Sequence, residues 1–165
     1  MERSAINPYF AGALLLTVAL LQTSVMPNFL LLGVVPDLML LVIVSWTLLQ
    51  GTRESIAWAL AGGLLLDLLS GGPFGAITVS LSFATLVTGL GSPSVFQGTL
   101  WLPILACSVA TGIYNIVYLL ILQLSAHPVP WGTSLLQVTI PSMIANTLIM
   151  YPVYWSVRWL HQRIS

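Results

Sequence analysis

The stretch from Asp37 to Asp67, DLMLLVIVSWTLLQGTRESIAWALAGGLLLD, decides how this chain folds. Two apolar arms flank one short charged turn, Gly51-Thr52-Arg53-Glu54, and each arm ends on a carboxylate. Folded as a helical hairpin about that turn, the arms bring Asp37 and Asp67 to the same level. About fifteen residues on each side, at 1.5 Å per residue, is roughly 22 Å. That is well over halfway through a hydrocarbon core about 30 Å thick. A carboxylate at such a level costs at least about 3 kcal/mol unless it is paired, hydrogen-bonded or wetted. The two acids therefore mark the level at which function is expected.

Composition supports the membrane reading. The chain has 165 residues, 58% of them apolar, a mean hydropathy of +1.00 and only 5% charged residues. Soluble domains carry about 25% charge. With four Arg, no Lys, four acids and no net charge, there is no basic footprint for nucleic acid. The single Cys107 lies in an apolar run and reads as a small buried residue. The N-terminal apolar stretch, Tyr9 to Met26, is too long for a typical signal-peptide core, and its flank Met1-Glu2-Arg3 is hardly basic. It is expected to be a retained first span.

Breaks at Pro and Gly divide residues 1–165 into one transmembrane helical domain with six spans, at about 8–25, 37–49, 54–69, 74–90, 98–124 and 134–160. Pro36-Asp37 is a good helix start, because Pro has no N–H to lose and Asp can satisfy free amides. Residues 29–35 are apolar but interrupted by Gly33, and read as a re-entrant or interfacial segment. Pro141 and Pro152 are expected to kink the last span. With both termini cytoplasmic, Arg3, Arg53, Arg158 and Arg163 all face inward, as the positive-inside rule requires. Trp46, Trp58, Trp101, Trp155 and Trp159 then fall near the cytoplasmic boundary as an aromatic belt, with Trp131 in an outer loop.

Small residues recur at helical spacing: Ser55, Ala59 and Gly63; Ala76, Ser80, Ala84 and Thr88; Ala106 and Ala110, with Ser108 and Gly112. Such stripes let helices approach closely, either within the bundle or against a partner's helix. Asp37 and Asp67 carry two readings. In one they share a polar pocket in the outer half of the membrane, which Asn115 also reaches. In the other Asp37 caps its own helix and Asp67 accepts from the amides of Ser70-Gly71-Gly72. Asn146 is expected nearer mid-membrane. Gly71, Gly72, Pro73 and Gly75 read as a tight turn. His127 and His161 have no metal-site spacing, so no cofactor, metal or enzymatic activity is expected.

Val35-Pro36-Asp37-Leu38, then Ala61-Gly62-Gly63-Leu64-Leu65-Leu66-Asp67, then Gly72-Pro73-Phe74-Gly75, resemble the bacterial rod shape-determining MreD family. The specific match covers residues 35–76; length and hydropathy fit over the rest. The resemblance implies motif positions at Pro36, Asp37, Gly63, Asp67, Pro73 and Gly75. It also implies a fold like the substrate-binding subunits of energy-coupling-factor transporters, and a multi-pass protein of the bacterial inner membrane. The function implied is a non-catalytic scaffold of the elongation machinery. It would bind the single-span protein MreC and link MreB filaments to peptidoglycan synthesis by RodA and a class B penicillin-binding protein. The alternative is the substrate-binding subunit of a small-solute transporter, with Asp37, Asp67 and Asn115 around a polar ligand.

Overall fold

The computed structural model describes residues 8–91 and 101–164. Arg3, the Ser92-Pro93 break and positions 98–100 of the fifth span lie outside them. Within these residues the chain is all-helical, with one isolated bridge between Leu31 and Val34. Helix α1 is Pro8–Ser24, α2 Leu38–Gln50, α3 Thr52–Ser70, α4 Ala76–Gly89 and α5 Trp101–Leu124. Helix α6 starts as a turn at Trp131–Ser134, passes through a π-helical segment Leu135–Thr139 and continues as Ile140–Ile164. Three segments, Tyr9–Asn28, Trp101–Leu124 and Trp131–Arg163, are long and apolar enough to cross a membrane. Helices α2 and α4 are apolar but shorter.

Helix α2 is the axis of the molecule. Every residue from Met39 to Leu48 is buried. A helix without a polar face belongs in an interior, and α2 touches all five others. Those five form a ring in the order α1, α3, α4, α5, α6. The ring stays open between α1 and α6. A groove of about 400 Å³ lies there, between Leu14 of α1, Val42 of α2 and Ile149, Pro152, Val153 and Leu160 of α6.

Lipid tails are as apolar as leucine, so in a membrane close packing and hydrogen bonds hold helices together. The small residues supply that packing inside the bundle. Ser55, Ala59 and Gly63 on α3, Ala76, Ser80, Ala84 and Thr88 on α4, and Ala110 and Gly112 on α5 are all buried. These residues form internal seams, whereas Ala106 and Ser108 on α5 are half-buried and Ala106 lines a groove with Thr88 of α4. Gly63 is the tightest point against a neighbouring backbone: a Cβ there would lie 2.5 Å from the Thr78 Cα of α4.

Trp46 and Trp58 do not belong to an exposed belt. They are buried and stack at 4.4 Å between ring centroids, with the His161 ring edge-on to Trp46 at 5.5 Å. Trp101, Trp155 and Trp159 are exposed. Trp131 opens α6, and its indole N–H donates to the Gln123 side chain of α5. A π segment precedes Pro141, where the Ile140 N–H reaches back to the Leu135 carbonyl, and Pro152 lies inside the helix that follows.

Gly63→Ala should lower the stability of the purified protein by about 1–3 kcal/mol, the usual cost of overpacking a fitted contact. At Gly12, a Cβ would meet nothing within 4 Å. There the same change should stabilise by about 0.5–1 kcal/mol through helix propensity. Thermal unfolding in one detergent, monitored for both variants, checks the opposite signs.

Candidate functional site

A helix that begins inside an apolar bundle has free N–H groups and no water to bond them. Both α2 and α4 begin this way, and the polar residues of the chain gather at those two starts. Asp37 is the N-cap of α2, and its Oδ1 accepts from the Leu40 N–H at 3.0 Å. The Met39 N–H donates to Oε1 of Gln22 on α1 at 2.7 Å. The Asp37 N–H donates to Oδ1 of Asn146 on α6 at 2.9 Å. The Asn146 amide in turn donates to Oγ1 of Thr111 on α5 at 3.2 Å, and that hydroxyl donates to the Cys107 carbonyl at 2.8 Å. One buried asparagine thus ties α6 to the start of α2 and to α5.

The start of α4 is held from α3. Oδ1 of Asp67 accepts from the Ile77 N–H at 3.0 Å. Its Oδ2 accepts from the Thr78 N–H at 3.0 Å and from the Thr78 hydroxyl at 2.5 Å. Asp67 is therefore a cap supplied across a turn. Near the C-terminus of its own helix the dipole disfavours it, but it sits at the N-terminus of the next, where negative charge is favoured. The amides it meets are those of α4, not those of Ser70-Gly71-Gly72. The turn makes this reach feasible. Gly71 and Gly75 have φ of +66° and +90°, and the Pro73 carbonyl accepts from the Ala76 N–H at 3.1 Å. Gly63 belongs to the same junction, because the residue it touches, Thr78, is the one that Asp67 holds.

Two tyrosines of α5 stand between the two starts. Tyr114 and Tyr118 stack with ring centroids 6.2 Å apart and planes 7° from parallel. The Tyr114 side chain lies beside the Asp37 carboxylate and within electrostatic reach of Asp67. Tyr118 lies beside Asp67 and Gly72. The two carboxylates share this neighbourhood, but each is committed to a different helix. Asn115 does not join them: its amide turns back to the Thr111 carbonyl at 2.9 Å. Asn146, Gln22, Thr78, Thr111 and the tyrosine pair complete the cluster, and sequence reasoning did not place them there. The signal available for Asn146 and Gln22 was a lone amide in an apolar helix, which needs a buried partner.

In the arrangement seen, the site can seat two short helices at a fixed depth and cross-link four others to them. Asp67→Ala should cost about 2 kcal/mol or more, because it orphans three donors at once. Asp37→Ala should cost about 1 kcal/mol, as for an ordinary N-cap, and Asp37→Ser should recover most of that. Asn146→Leu should fall between, at about 1–2 kcal/mol. Unfolding of the four variants under identical lipid or detergent conditions checks the order.

A family model described as rod shape-determining protein MreD matches residues 3–164 of the chain. Searches of curated proteins and of solved structures return no match.

Proposed function

The chain belongs to the MreD family of rod shape-determining proteins, and from that premise we propose that it is a non-catalytic, six-span scaffold of the bacterial inner membrane. Its termini face the cytoplasm, and its helical arrangement is of the kind used by the substrate-binding subunits of energy-coupling-factor transporters. It binds the transmembrane helix of MreC, and through it connects MreB filaments to the synthases RodA and its class B penicillin-binding partner. Cell shape is then controlled by how this module holds MreC's outer domain over the cell wall.

The observation that supports a scaffold is the use made of the two embedded carboxylates. Asp37 and Asp67 are spent on the N–H groups of α2 and α4. A solute-binding subunit would have to break those bonds to offer the acids to a ligand, orphaning main-chain donors in a dry bundle. A scaffold needs what the bonds provide, a fixed outer end.

The MreC helix is assigned to the open edge of the ring. The small residues of α3 and α4 are consumed within the bundle, whereas the groove between α1 and α6 reaches α2 at Val42. A single helix laid along it would close the ring. Val153→Trp, which fills the groove from α6, should leave membrane insertion and thermal stability near those of the unsubstituted protein. It should abolish co-purification with MreC and fail to restore rod shape in cells lacking their own MreD. Asp37→Asn with Asp67→Asn should insert but weaken the complex. Full MreC recovery with both variants would refute the scaffold assignment.

A further inference from the structure

The segment between α1 and α2 is not an ordinary solvent loop. After a single 3₁₀ turn at Met26–Asn28, the chain makes a miniature hairpin. Leu31 and Val34 exchange both main-chain bonds, N–H to O at 2.9 and 3.0 Å, and Leu32 and Gly33 between them have φ of +55° and +82°. This is the double left-handed geometry of a tight hairpin turn, whose first seat suits Asn, Asp or Gly. Here it holds a leucine, 62% exposed, among Phe29, Leu30 and Val35, which are also exposed. Gly33 has open space around it, so the rest of the protein does not cover the tip.

We propose that this hairpin, Phe29 to Val35, is an apolar wedge seated in the interfacial layer of the membrane on the Asp37 side. The proposal rests on the six-span reading above. Three observations support it. First, α2 has 13 residues, which is about 20 Å of helix against a core of about 30 Å. Its start therefore lies about 10 Å below the outer boundary, and Val34 to Pro36, three residues at about 3.3 Å each, cover that depth and bring the tip to the interface. Second, the segment closes part of its main chain on itself, and the N–H groups of Leu30, Leu32, Gly33 and Val35, which have no main-chain partner, can be bonded by water and headgroups at the interfacial level. Besides the Leu31–Val34 pair, the Asn28 N–H reaches the Val25 carbonyl at 3.1 Å and the Phe29 N–H reaches the Met26 carbonyl at 2.8 Å. Third, a left-handed leucine is strained, and removing its side chain from water outweighs that strain. In water the same seat would favour a polar residue on both counts.

Spin-label accessibility tests this on the full chain in phosphatidylethanolamine–phosphatidylglycerol liposomes. The single native thiol is removed by Cys107→Ala, and labels are placed by Leu32→Cys or, on lipid-facing α5, by Ile116→Cys as reference. The Leu32 label should collide more with dissolved oxygen than with a water-soluble nickel chelate, by a smaller margin than the Ile116 label shows. A Leu32 label reached mainly by nickel would make the hairpin an aqueous loop. One shielded from both would mean that protein covers it; either result overturns the proposal. An Ile116 label reached by nickel would instead overturn the six-span reading itself. Leu30→Cys, outside the strained turn, gives the same readout if the Leu32 variant does not fold.

Discussion

The need to satisfy main-chain N–H groups where α2 and α4 begin governs this structure. Both helices start among other helices instead of in water, and each unbonded amide there would cost what a buried donor costs, about 1–3 kcal/mol. The chain has few polar side chains to spend. It places Asp37, Gln22 and Asn146 at one start and Asp67 with Thr78 at the other. Because the donors and acceptors come from α1, α3, α5 and α6, meeting the local need also fixes how the helices are arranged. Interhelical hydrogen bonds in membranes are worth only about 0.6 kcal/mol on average. Their value here is geometric: α2 cannot slide along its axis without orphaning the Asp37 and Met39 N–H groups.

The family motif follows from the same need. Gly63 lets α3 approach α4 at Thr78, Asp67 bonds that residue, and Gly71, Pro73 and Gly75 turn the chain so that it arrives there. Pro36 is buried and precedes the cap. These six positions, with Asp37, are one device that begins two helices inside a bundle. Nothing in the device requires a substrate. The opposite end of α2 is built differently, from packing: Trp46 on Trp58, with His161 against Trp46 and the Gln50 side chain.

Much of this was legible in the sequence because it is local. Asp37 after Pro36 reads as a cap, and Gly71 to Gly75 reads as a turn, since the partners lie within four residues. The Asp67 bonds were misplaced because reading along the chain assigns a carboxylate to its nearest amides, whereas its partners lie ten and eleven residues on, across the turn. Asn115 and Asn146 show a second limit. Hydropathy sets depth, but rotation about the helix axis decides which amide faces α2. In a chain this apolar, the pattern has almost no polar face from which to read rotation. Trp46 and Trp58 fail for the same reason. Their position near a boundary was readable, but their orientation toward each other was not.

These features also bear on how such a module could pass a signal. A scaffold that holds a partner helix is useful when its two ends are mechanically continuous. Here continuity runs through α2, buried from Met39 to Leu48 and clamped at Asp37 by α1, α5 and α6. A helix closing the ring against Val42 would touch this axis directly, with nothing between it and the clamped element. Displacement of such a partner at one end would be felt by α2 as a whole, because close-packed interiors yield in steps and not continuously. The open edge of the ring, where the groove reaches Val42, is thus also the edge where an outside helix would gain the most leverage on the fold.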